Sequence, residues 1–74
     1  MRTGLLWYDA DPKKTLGDKI EEAAQRYFAK FGVRPNTCYV HPSALADKTT
    51  VKNGMKLTGA LDILPNHLWL GVAD

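Results

Sequence analysis

Asp9 and Asp11, the two histidines His41 and His67, the one cysteine Cys38, and Ser43 are the residues of this 74-residue chain that could combine into a reactive or metal-binding site. Carboxylates beside histidines can hold a divalent metal, or divide acid and base roles near neutral pH. They are scattered along the chain, so such a site exists only if the fold gathers them. Cys38 and His41 lie three apart in an extended stretch and so point to opposite faces, which rules out their sharing one ion. With no second cysteine there is no intrachain disulfide, and the single thiol, facing inward, reads as a small apolar group in a reducing cytoplasm. Gly4, Gly17, Gly32, Gly54, Gly59 and Gly71 are all isolated, so no phosphate-cradling loop is written, and no cofactor is expected.

The elements that must position these residues are built around Thr15 to Gly32. Leu16, Ile20, Ala23, Ala24, Tyr27, Phe28 and Phe31 trace one apolar stripe at a 3.6-residue period, with charged residues filling most of the rest. Thr15 with Asp18 three residues on fits a capping box, and Gly32 suits the left-handed residue that ends a helix. Glu22 and Arg26 are spaced for an i, i+4 ion pair. Gly4 to Tyr8 and Thr37 to His41 read as strands, and 42–47 as one helical turn opened by Pro42. Asn53-Gly54 is a hairpin turn joining Thr49–Lys52 to a strand that begins at Met55. The segment from Leu57 to Ile63 is expected to continue that strand, with Gly59 a bulge, before Pro65-Asn66 turns the chain into Leu68 to Val72. The expectation is a single α+β domain over residues 1–74, a β-α-β-β-β-β mixed sheet with one amphipathic helix on one face. Ile20, Ala24, Tyr27 and Phe28 should pack on Leu6, Val40, Leu57, Leu61, Leu70 and Val72. If the first two strands run parallel, Asp9, Asp11, His41 and Ser43 share one sheet edge, and the later reversals bring His67 to it.

One helix cannot cover both faces of such a sheet. Alternation separates Leu68, Leu70 and Val72 from Trp69, and Cys38 and Val40 from Tyr39. Trp69 and Tyr39, joined by Trp7, are expected on the face away from the helix, where three large aromatics would mark an interaction surface. The leading expectation is a small non-enzymatic protein-interaction or self-association module with a homodimeric or protein partner. The alternative is a metal-dependent or acid-base enzyme at the edge formed by Asp9, Asp11, His41 and His67. A further alternative is single-stranded nucleic-acid binding, with Lys48, Lys52 and Lys56 neutralising phosphates beside the aromatics. Ten basic against eight acidic residues give a net charge of +2, too even to argue for nucleic acid. The apolar run Leu5 to Tyr8 is too short for a signal peptide or a membrane span, so a cytoplasmic protein without membrane attachment is expected.

The string Phe31-Gly32 through Pro35-Asn36-Thr37-Cys38-Tyr39-Val40-His41-Pro42 resembles small uncharacterised bacterial proteins in which a helix leads through Lys-Phe-Gly and Pro-Asn into a Cys-Tyr-Val-His-Pro strand. Leu68-Trp69-Leu70-Gly71-Val72 is similar to their closing strand, and the likeness covers about half the chain. It implies a cytoplasmic domain and no particular activity.

Overall fold

A capping box starts the one helix: the Thr15 hydroxyl accepts from the Asp18 amide at 3.1 Å, and the Asp18 carboxylate accepts from the Thr15 amide at 3.3 Å. Two amide donors that a helix start otherwise leaves without partners are thereby satisfied. Helix α1 runs Leu16–Phe31 and ends at Gly32, whose φ of 77° only a residue without Cβ adopts freely; its amide donates to the Phe28 carbonyl at 2.8 Å. This computed structural model describes residues 4–45, 49–52 and 54–73, the side chains of Thr49 and Lys52 excepted. The strands are β1 (Gly4–Tyr8), β2 (Thr37–Val40), β3 (Thr49–Lys52), β4 (Met55–Gly59) and β5 (His67–Gly71), with a 3-10 turn at Pro42–Ala44.

The five strands form one mixed sheet in the order β1-β5-β2-β4-β3. β5 is antiparallel to both β1 and β2, so β1 and β2 run parallel on either side of it; β2 and β4 are parallel neighbours, and β3 closes the far edge antiparallel to β4. The fold is α+β with α1 as its only α-helix among the described residues. No helix there is long and apolar enough to cross a membrane.

α1 lies closest to β5 and buries Ile20, Ala23, Ala24 and Tyr27. The sheet answers with Cys38, Val40, Met55, Leu57, Leu68 and Leu70, and Leu5, Trp7, Leu16, Phe31 and Leu45 pack around this cluster. Each large side chain fully removed from water contributes about 1.5–3 kcal/mol. Over β4 the cover comes from the segment after β2. Pro42 approaches Gly59 so closely that a Cβ there would meet the proline Cα at 3.3 Å.

The expected core differs at four positions. Leu6 is 56 % exposed, because the β1–β5 register sets Leu5 opposite Leu70 and Trp7 opposite Leu68 and so turns Leu5 and Trp7 inward. Phe28 is 50 % exposed, one residue beyond the buried Tyr27 and at the rim of the helical stripe. Leu61, 85 % exposed, does not continue β4: the strand ends at Gly59 without a bulge, and 60–63 turn, the Ile63 amide bonding the Ala60 carbonyl at 3.2 Å. Val72 lies past the end of β5, where Asn36 holds both the amide and the carbonyl of Ala73. The Glu22–Arg26 pair is replaced by a Glu22–Lys14 bridge at 2.7 Å. Gly54 has the positive φ, 72°, required of its hairpin; Asn53, and Ala46 and Asp47 of the expected helical turn, lie outside the described residues.

Candidate functional site

Three reversals of direction bring the ends of β1 and β2 and the start of β5 to one edge of the sheet, and a cleft of about 220 Å³ opens there. Asp9, His41, Ser43 and His67 line it, with Lys19 and Asn66. Its two walls are tied by the Asp9 amide, which donates to the Asn66 carbonyl at 2.9 Å. Asn66 takes φ 65°, the left-handed conformation that asparagine tolerates better than most residues, and this turns the chain into β5.

The hydrogen bonds fix what each group offers. His41 Nδ1 accepts from the Ser43 amide at 3.2 Å and meets the Ser43 hydroxyl at 2.7 Å, so a neutral His41 carries its proton on Nε2. His67 Nδ1 stands 2.9 Å from the Pro65 carbonyl, which can only accept, so neutral His67 is protonated there and keeps its lone pair on Nε2. Its ring also packs on Tyr8, centroids 4.8 Å apart.

Asp9 is not a free base. Its Oδ1 accepts from the Asp11 amide at 2.9 Å and its Oδ2 pairs with Lys14 at 3.2 Å. The Asp11 amide, chiefly, and Lys14 hold its carboxyl below the usual carboxylate value, against the opposing effect of partial burial. Lys14 bridges on to Glu22, and these two carboxylates raise its own pKa. Asp11 lies outside the cleft lining, its Oδ1 closing a local turn on the Lys13 amide at 2.9 Å. Among the described residues no group of three or more His, Cys, Asp or Glu side chains is placed to hold a metal ion, while Asp9, His41 and His67 line the one cleft. Cys38 is wholly buried, and burial pushes its thiol up to about 12, far from a nucleophile's range.

The other candidate surface is the sheet face away from α1. Cross-strand pairing sets Leu6, Trp69, Tyr39 and Thr58 in one row across four strands, with Tyr8 beside Leu6 and Val51 opposite Lys56. Leu6, Tyr8 and Val51 are 56, 63 and 72 % exposed. Tyr39 and Trp69 are half-buried and, with Ala60, Asp62 and Ile63 of the β4–β5 loop, frame a depression of about 400 Å³. Trp69 also lies across Gly4, where a Cβ would come within 2.3 Å of its Cζ2. Trp7, expected on this face, packs instead on the helix side, its Nε1–H buried without an acceptor among the described residues. Leu6 and Tyr8 take the place expected of it.

Sequence reasoning missed Lys14, Lys19 and Asn66. The proline-asparagine turn signalled Asn66, whereas nothing in the spacing showed that Lys14 would swing back onto Asp9. Comparison with protein-family models, with curated proteins and with solved structures gave no match.

Proposed function

We propose that this chain is a small non-enzymatic interaction module that self-associates through the sheet face opposite α1. The observation that carries the proposal is the row of Leu6, Trp69, Tyr39 and Thr58 with Tyr8 and Val51 at its margins. Exposed apolar residues scattered singly are ordinary on any protein, but a contiguous row on an open sheet face is not. Five strands about 4.8 Å apart and about 17 Å long make a face of roughly 20 by 17 Å. Such a face is smaller than specific, stable interfaces usually are, so the association is weak, in the micromolar range or above.

Molar mass by light scattering over a concentration series tests this. The wild-type chain should pass from monomer toward dimer as concentration rises, and Leu6→Lys and Tyr8→Lys, both at exposed positions, should stay monomeric while keeping the fold. A monomer up to millimolar concentration would refute the proposal. The acid-base alternative has less support, because Lys14 and the Asp11 amide already engage the carboxylate that would serve His41 or His67. Nucleic-acid binding has less support too: ten basic against eight acidic residues leave a net charge of only +2.

A further inference from the structure

A second surface differs in kind from the open face. β1 is an edge strand, and Gly4–Tyr8 contains no proline and no charged side chain, two of the devices that guard an edge against pairing. The direction of its backbone groups follows from one bond. The Asp9 amide donates across to Asn66, the next pair in the β1–β5 register, so Asp9 faces β5. In an antiparallel ladder successive residues alternate sides, which turns Trp7 and Leu5 toward β5 and the amides and carbonyls of Gly4, Leu6 and Tyr8 outward. The close contact of Tyr8 with His67 agrees, since directly opposed side chains lie nearest in the pairs that exchange no hydrogen bonds.

Alongside this edge runs a groove of about 390 Å³, walled by Leu5, Leu6 and Trp7 of β1 and by Arg26, Ala29 and Lys30 of α1. The helix residues place two cations one turn apart over a small alanine. No carboxylate partner for either is found among the described residues, Glu22 being bound to Lys14 and Glu21 to Arg34. Arg26 and Lys30 are separated by about 6 Å along the helix axis. Alternate side chains of an extended strand recur every 6.5–7 Å or so, close to the same interval. α1 returns from the end of β1 to the start of β2, so it runs back along the strands.

We propose that the β1 edge and the adjoining flank of α1 take up an extended acidic segment of a partner protein as an added strand. The outward groups of Gly4, Leu6 and Tyr8 form its backbone hydrogen bonds, and carboxylates at alternate positions of the incoming segment reach Arg26 and Lys30. Charge selects this occupant over a second copy of the chain, because another β1 brings no carboxylate and would set one Arg26–Lys30 pair against another. The edge offers backbone groups and the helix flank whereas the open face offers side chains, and although Leu6 and Tyr8 belong to both, the inference does not depend on self-association.

The test uses a short synthetic peptide alternating valine and glutamate, a valine-lysine counterpart, and the full chain labelled with nitrogen-15. The glutamate peptide should slow amide exchange at Gly4, Leu6 and Tyr8 while Leu5 and Trp7 change little, and the lysine peptide should not. The Arg26→Gln, Lys30→Gln double variant, altered only on the exposed helix flank, should fold normally and bind the glutamate peptide at least ~10-fold more weakly. The proposal is overturned by absence of binding at millimolar peptide, by equal binding of both peptides, or by protection that falls on the open face. It is also overturned if the same three amides become protected merely on raising protein concentration, which would make a second copy the occupant. The molar-mass series reads self-association separately.

Discussion

Cys38 gives the sharpest check on the core, because its thiol is both sealed and electrostatically disfavoured as a thiolate. It has no exposed surface, and burial raises its pKa from 9.0 to about 12. At pH 8 the reactive thiolate is thus scarcer in the folded chain by about a thousandfold, three pKa units, before steric exclusion is counted. Alkylation of the native protein must therefore pass through opened molecules. For a small domain stable by about 5 kcal/mol, roughly one molecule in several thousand is open, so the native rate should be at least 10³-fold below that of the unfolded chain. The assay compares iodoacetamide labelling at pH 8 in buffer and in denaturant, followed by mass spectrometry. The sign of the linkage is also fixed. A folded-state pKa above the unfolded value contributes stability that is fully present below pH 9.0 and is lost as pH rises toward 12, so the native rate should climb faster with pH than the unfolded rate. Native labelling within tenfold of the unfolded rate would refute the placement of Cys38 between sheet and helix.

Ile20→Ala should destabilise by about 2–5 kcal/mol, while Phe28→Ala, at a half-exposed position on the same helix, should cost clearly less; denaturant titration of the two variants reads the helix phase. Gly4→Ala drives a Cβ into the Trp69 indole and should cost about 1–3 kcal/mol, with a shift in tryptophan fluorescence as the ring moves. Because the Asp9 pKa is lowered on folding, its stabilisation is complete above pH 3.8 and is lost as pH falls through the lowered value. Asp9→Asn should therefore flatten the acid limb of the stability profile measured by circular dichroism.

The helix and both its caps were legible because their signals are local: a period, a Thr-Asp pair, a glycine. The edge cleft was legible through topology, since two parallel strands must end together and the turns that follow fix where His67 returns. The phase of β1 was not. Leu5, Leu6, Trp7 and Tyr8 are all apolar, so no alternation distinguishes the two faces, and the choice is made by register against Leu68 and Leu70 of β5. That choice sends Trp7 inward and Leu6 outward, opposite to expectation. The state of Asp9 was equally hidden, because the Asp11 amide, chiefly, and a lysine five residues away decide it through a turn geometry that the sequence does not encode by spacing. The exposure of Phe28 reflects the narrow zone where α1 meets β5, a limit set by packing rather than by the helical stripe itself.

If the helix closes one face of the sheet and the opposite face self-associates, the two tryptophans provide a control within one molecule. The measurement is the concentration dependence of their indole Nε1–H signals in nitrogen-15 correlation spectra. The Trp69 signal, together with the Tyr8 and Leu6 resonances, should move progressively as concentration rises from micromolar to millimolar, while the Trp7 signal, packed on the helix side, stays fixed. Spectra that are unchanged across that range, or in which Trp7 moves and Trp69 does not, would contradict self-association through the open face.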